Sequence, residues 1–285
     1  MDAAARLQGV RLVRLLAALL LTCWVAAPAA ASTAMLKGLK IHYTVQGKPG
    51  GKTLIFVHGW TCDDRSWSRQ VPAFVADYRV VTLDLPGHGQ SDSPPPAGYS
   101  IGLFADAVEA VRKAVGANKV VLVGHSMGAG VSRLYTLAHP EHVAGIVSAD
   151  GLLDIRPFAA AALRAQPMTH ERRVAAIEAM FVPSTPEPLR QEIRQMMLGA
   201  SEATSVGANA AMMDPAIQSN AVITAPALTV FASSRTMGLA TPTKELLPNW
   251  ESVTIPDTGH FVMMEKPDQF NALLHAFLAT RARWQ

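Results

Sequence analysis

The chain has 285 residues, 49% of them hydrophobic, with 25 Lys and Arg against 22 Asp and Glu. That is enough apolar material for one large α/β domain or two small ones, and it argues against a disordered chain. Three of the basic residues and one acidic residue lie in 1–31, so the remainder is close to neutral and carries no dense Lys/Arg run; nucleic acid and an anionic membrane surface are not expected partners.

Residues 1–31 read as a secretory signal. Arg6, Arg11 and Arg14 precede a short apolar run from Leu15 to Val25, and Ala29-Ala30-Ala31 offers a small-residue cleavage site. The run is short for a transmembrane helix. An uncleaved anchor and a lipoprotein on Cys23 stay open, although Thr22 is bulky for the residue before a lipidated cysteine. The expectation is a secreted or periplasmic protein cleaved after Ala31, with no stable membrane partner afterwards. Cleavage leaves Cys62 as the single cysteine, so no internal disulfide is expected and the fold must rest on its core.

Leu39 to Val45, Thr53 to Val57 and Arg79 to Leu83 read as early strands, with a helix over Arg65 to Ala76 carrying Trp67, Val71 and Phe74 on one face. Ser93 to Gly98 is a Pro-rich loop. Ser100 caps a helix in which Ile101, Phe104, Val108, Val111 and Val115 recur at helical spacing. Lys119 to Val123 is a buried strand, Ala129 to His139 a helix and Val143 to Ala149 the next strand. Strands alternating with helices predict a mostly parallel sheet covered on both faces. The alternation stops in 152–222, which holds helix-like runs at Glu171 to Phe181 and Glu187 to Leu198 and reads as a helical cap. It resumes with strands at Leu228 to Ala232 and Ser252 to Ile255 and a last helix over Asp268 to Arg281, striped by Phe270, Leu273, Leu274, Phe277 and Leu278. The core is therefore expected in 36–151 and 223–285.

Between the strand Lys119–Val123 and its helix stands Gly124-His125-Ser126-Met127-Gly128. Strand, Gly-x-Ser-x-Gly, helix is the setting in which a sharp turn exposes a serine hydroxyl at a strand's carboxyl end. A serine is a poor nucleophile until a neighbour takes its proton, and histidine suits that task near neutral pH. His260, in Asp257-Thr258-Gly259-His260 between the last strand and the last helix, is the expected base. By itself it would read as a surface loop histidine; the elbow upstream changes that. His42, His88, His125, His139, His142, His170 and His275 lack a comparable setting. An oxyanion hole needs two backbone N–H groups. Met127, after the serine, and Trp60, in His58-Gly59-Trp60 after the strand Thr53–Val57, are expected to supply them, with His58 bracing the loop. Cys62 reads as a small packed side chain.

His58-Gly59-Trp60, the loop Asp84-Leu85-Pro86-Gly87-His88-Gly89-Gln90-Ser91-Asp92, the elbow and Gly259-His260 make the chain resemble the α/β-hydrolase superfamily over roughly 36–281. The resemblance implies an eight-stranded, mostly parallel sheet, a cap after the sixth strand and the order serine, acid, histidine. In many members the acid follows the seventh strand. Here Arg235 stands at that place, and no Asp or Glu occurs from Ala216 to Lys244. An arginine cannot neutralise a histidinium. Asp150, at the end of the sixth strand, resembles the placement in the haloalkane dehalogenase-like branch and is the expected acid. Asp154 and Asp257 are the alternatives. That branch and the epoxide hydrolases of this fold use aspartate as nucleophile. Ser126 in that place points instead to acyl transfer.

Met168, Met180, Met196, Met197, Met212 and Met213 crowd the cap, and Met263 and Met264 follow His260. They suit either an adaptable apolar pocket or ordinary packing. The expected activity is a serine carboxylesterase on uncharged or apolar small-molecule esters, needing no cofactor and no metal. A lactonase, C–C hydrolase, amidase or peptidase, perhydrolase, or a non-catalytic binding protein on the same fold are the alternatives.

Overall fold

The computed structural model describes residues 30–154, 167–217, 219–233 and 244–285. Most of the signal segment, the cap residues 155–166 and Arg235 lie outside the described residues.

Among the described residues, eight strands form one sheet in the order β1-β2-β4-β3-β5-β6-β7-β8. They are β1 (Ala30–Leu36), β2 (Leu39–Gly47), β3 (Thr53–Val57), β4 (Arg79–Leu83), β5 (Val120–His125), β6 (Val143–Ala149), β7 (Ala227–Ala232) and β8 (Trp250–Ile255). β1 and β2 form an antiparallel hairpin, and β2 runs antiparallel to β4. From β4 to β8 all pairings are parallel. β3, β5, β6 and β7 are buried at every position, as strands covered on both faces must be. β8, at the edge, is mostly exposed.

Among the described residues the helices are α1 (Val71–Phe74), α2 (Ile101–Ala114), α3 (Met127–Ala138), α4 (His170–Glu178), α5 (Glu187–Gly199), α6 (Glu202–Met213), α7 (Val262–Glu265) and α8 (Pro267–Thr280). Ser100 caps α2 as expected, its Oγ accepting the Leu103 N–H at 3.0 Å. The helix expected over Arg65 to Ala76 is broken. A 3₁₀ turn at Asp64–Trp67 precedes the four-residue α1, with Pro72 in its first turn. Proline is tolerated there but cannot donate back to a preceding turn. Trp67, Phe74, Phe56 and Phe270 nevertheless pack as one buried aromatic group, so the apolar face predicted for that segment is real.

β1 and α6 are additions to the sequence-based picture. β1 starts ahead of the core boundary expected at 36, and cleavage after Ala31 would leave Ser32 to Leu36 paired to Leu39–Tyr43.

α4, α5 and α6 lie between β6 and β7 in sequence and over the carboxyl edge of the sheet in space. They are tied to the core at several points. Arg69 forms two parallel hydrogen bonds with Glu192 of α5, at 3.0 and 2.7 Å. Thr204 of α6 donates to the Gly87 carbonyl at 2.7 Å and meets the Tyr99 hydroxyl at 3.0 Å. A Cβ on Gly207 would strike the Tyr99 ring, so α6 sits on this tyrosine at glycine distance. Met196 and Met197 are buried core residues, while Met180, Met212 and Met213 are half-buried.

Candidate active site

The strand order turns back on itself between β3 and β5: β4 lies on one side of β3 and β5 on the other. A reversal of strand order of this kind is where open α/β sheets bind ligands, at the carboxyl ends of the strands. Val57 pairs with Gly124 and His125 with Ala149, which brings the ends of β3, β5 and β6 level.

Five non-glycine residues of the described chain have positive φ. Lys37 serves the β1–β2 hairpin; Thr61 (55°), Ser126 (50°), Asp150 (44°) and Asp257 (52°) follow β3, β5, β6 and β8 at the same edge. Strained backbone concentrated at one edge is the mark of a functional site. Ser126 turns at φ 50° and ψ −114°. It is possible because its flanking glycines have no side chains. A Cβ on Gly124 would collide with the Gly128 carbonyl, and one on Gly128 with the carbonyl oxygen of Val57. The Ser126 N–H extends the β5–β6 ladder to the Ala149 carbonyl at 3.1 Å.

Asp150 continues the same pattern one strand further. Its N–H donates to the Val230 carbonyl at 2.8 Å, and its Oδ1 accepts the Ala232 N–H at 2.9 Å. Oδ2 faces His260 Nδ1 at 2.6 Å, a distance expected of a charge-assisted bond. Burial pushes the Asp150 carboxyl up, but the hydrogen bond and charge of His260 and the Ala232 N–H outweigh it, and the pKa lies below the ordinary aspartate range. Ser126 and Asp150 thus stand at the ends of the neighbouring strands β5 and β6, and Asp150 touches His260, which lies in the loop after β8. Asp257 is exposed, and its carbonyl accepts from Ser184 Oγ at 3.4 Å; Asp154, beyond β6, is buried.

The His58-Gly59-Trp60 loop lies against the elbow. A Cβ on Gly59 would come within 2.8 Å of His125 Nδ1 and 3.3 Å of Ser126 Cβ. His58 braces this loop: Leu85 N–H donates to its Nε2 at 2.9 Å, so Nδ1 carries the hydrogen and donates to the Gly59 carbonyl at 2.8 Å. Trp60 is buried, and its indole N–H donates to the Ser205 carbonyl of α6 at 2.9 Å, linking the loop to the cap. Met127 is the first residue of α3, where backbone N–H groups have no partner within the helix.

In the sequence His125 has no setting comparable to that of His260. The structure gives it a definite place. It is buried beside the His260 ring, with centroids 4.8 Å apart, and its Nε2 donates to the His260 carbonyl at 3.1 Å. Burial, and then the charge of His260, push its pKa down to about 3, so it stays neutral at working pH. His88 is likewise pushed to about 3, by burial and the adjacent His58. Cys62 is fully packed, and burial pushes its thiol up, which leaves it inert as a nucleophile.

His42, Asp64 and Asp84 bring one ligand-type atom each within 4.8 Å of one another. Hydrogen bonds account for this cluster. Asp84 Oδ1 accepts the Asp64 N–H at 2.9 Å, and Oδ2 accepts the Gln90 N–H at 2.8 Å and His42 Nδ1 at 3.1 Å. The carboxylate staples β2, β4 and the loop after β4 together, and gives His42 the partner that its sequence context did not reveal.

The family described as alpha/beta hydrolase fold matches residues 52–177. Epoxide hydrolase 4 of Mus musculus is 32% identical over 111 residues, 39% of this chain and 31% of that protein. The dihydrolipoyllysine-residue acetyltransferase component of the acetoin cleaving system of Pseudomonas putida is 28% identical over 251 residues, 81% of this chain and 65% of that protein. The chain thus spans less than two thirds of the length of these relatives. Among solved structures, Est816, described as an N-acyl homoserine lactone degrading enzyme, superposes with a TM-score of 0.71 at 27% identity, covering 86% of this chain and 100% of the other. The esterase EaEST of Exiguobacterium antarcticum reaches 0.72 at 19% identity, covering 88% and 100%, a likeness of fold alone. Strand order, elbow, inserted helices and these likenesses converge, and the chain has the alpha/beta hydrolase fold.

Proposed function

We propose that the protein is a serine hydrolase, a carboxylesterase acting on uncharged or apolar small-molecule esters. The observation that carries this reading is the 2.6 Å contact of His260 Nδ1 with Asp150, one strand away from a serine held at φ 50° in a Gly-x-Ser-x-Gly turn. With Nδ1 donating to the carboxylate, His260 Nε2 is free to accept the Ser126 proton as the hydroxyl attacks the ester carbonyl. The N–H groups of Trp60 and Met127 hold the oxyanion, and His260 then protonates the leaving alcohol. Water releases the acid by the same steps in reverse roles. Met-rich helices over the sheet's carboxyl edge suit an apolar acyl or alcohol group.

A fluorophosphonate is expected to modify Ser126, identified by peptide mass spectrometry, and nitrophenyl esters of graded acyl length to be turned over. A folded protein whose Ser126 stays unmodified would leave a binding protein on this fold as the reading. The likeness to Est816 supports a second substrate, a lactone, which is a cyclic ester open to the same chemistry. Turnover of an acyl lactone with none of the linear esters would replace carboxylesterase by lactonase. Residues 1–31 support export. The mature protein is expected outside the cytoplasm, with Ser32 at its N-terminus; a cell-associated chain retaining Leu15 to Val25 would point to an anchor.

A further inference from the structure

Both backbone groups of His260 are held from outside its own loop. Its carbonyl accepts from His125 Nε2, and its N–H donates at 2.8 Å to the carbonyl of Met180, just beyond α4 in the cap. The preceding N–H, that of Gly259, donates at 3.0 Å to Glu265 Oε2, at the end of α7. That same oxygen accepts the Thr185 hydroxyl of the cap at 2.9 Å. The loop fits this bracket closely, since a Cβ on Gly259 would collide with the Met180 carbonyl and come within 2.9 Å of Glu265 Oε1. Oε1 itself is buried with no hydrogen-bond partner among the described residues. A buried carboxylate oxygen without a donor costs stability, so packing alone does not account for an acid at this position.

We propose that Glu265 is a positioning residue for His260, joining the histidine loop to the cap through Gly259 and Thr185 so that Nδ1 meets Asp150. This rests on the hydrolase reading only in giving His260 a reaction to perform; the geometry is independent of the substrate. The cap is then a fixed part of the site's frame as well as a cover for it.

The test compares wild type, Glu265→Ala and Glu265→Gln by ester kinetics normalised to folded protein, and by proton NMR of the downfield His260 Nδ1 hydrogen. Glu265→Ala is expected to lower kcat by about 10–100-fold with KM little changed, as an ångström-scale misplacement does, and to broaden the Nδ1 signal away. Glu265→Gln keeps a carbonyl oxygen for both donors and is expected to recover most of the kcat and the signal. Wild-type kcat and an intact signal in the alanine variant would overturn the proposal. So would equal losses in both variants, which would make the charge rather than the bracket responsible. Should the alanine variant not fold, Thr185→Val carries the test by removing the cap's hydroxyl from the same oxygen. A fall in kcat with a weakened Nδ1 signal is then expected, and no change in either overturns the proposal. If wild type turns over no ester or lactone, the hydrolase reading fails, and the Nδ1 signal still decides the positioning role.

Discussion

Replacing Asp150 by asparagine is expected to lower kcat by about 10³–10⁴-fold while KM and the fold change little, as loss of the acid behind a catalytic histidine does elsewhere. The surroundings of the side chain give the reason. Oδ1 accepts the Ala232 N–H, and an asparagine keeping that bond turns its NH₂ group toward His260. Nδ1 must then accept, which leaves the hydrogen on Nε2. A ring in that tautomer cannot take the Ser126 proton. The volume is unchanged and the strand-end bond is kept, so the loss belongs to the tautomer and not to unfolding. Steady-state kinetics on a nitrophenyl ester, normalised to folded protein, measure it. Activity within tenfold of wild type would show that another carboxylate, such as Asp154, serves His260.

The largest effect on stability is expected far from that edge, at Glu109 on α2. Its Oε2 accepts Arg112 Nε and the Tyr135 hydroxyl of α3, each at 2.8 Å, and its Oε1 accepts Arg112 Nη2 at 2.8 Å. Arg112 is 7% exposed and also donates to the Ala117 carbonyl. Glu109→Ala removes the partner and leaves the guanidinium buried, which costs about 3–5 kcal/mol when one member of a buried pair is deleted. Lys113 at 3.3 Å is exposed and adds little. Urea denaturation at neutral pH measures the difference; a loss below about 1 kcal/mol would mean that water replaces the carboxylate, as at a surface pair. The same group sets an acid dependence. The hydrogen bond from Arg112 leads in pulling the Glu109 carboxyl down to about 2, against the opposing effect of burial. Its folded pKa is therefore depressed. The stabilisation is complete above the unfolded value near 4.5 and fades as pH falls toward about 2. The stability of Glu109→Gln is expected to vary less with pH over that interval than that of wild type.

The elements legible in the sequence are those whose signal is local. Thr53–Val57, Arg79–Leu83 and Val143–Ala149 are strands at the limits that their apolar runs suggest, because a strand buried on both faces has few polar positions. α6 escapes such a reading, since an Ala-rich helix docked on Tyr99 through Gly207 carries no broad apolar stripe. β1 escapes it because Ala-Ala-Ser-Thr-Ala is weakly patterned and continues the signal's small residues. The elbow is legible for the opposite reason: the turn is made within five residues, and its glycines are required by collisions among near neighbours and β3.

Asp150 sits between these cases. No acid occurs from Ala216 to Lys244, and the sequence by itself leaves Asp150, Asp154 and Asp257 as candidates. The register of β6 with β7, and the Ala232 N–H it delivers, are what aim Asp150 at the His260 ring. His125 and Met180 carry no sequence signal as supports of His260, because each bonds its backbone from a distant part of the chain; Glu265 lies only six residues from Gly259, but its tie to Thr185 of the cap spans 80 residues.

Composition, periodicity and one tight turn therefore determined the fold class, the serine in its turn and the candidate residues around it, since all of these follow from side-chain chemistry and contacts between near neighbours. The tertiary structure decided which carboxylate meets the histidine and what holds that histidine in place. Those depend on strand register and on cap residues reaching a loop some 80 residues away, where the geometry is set by packing and not by local sequence.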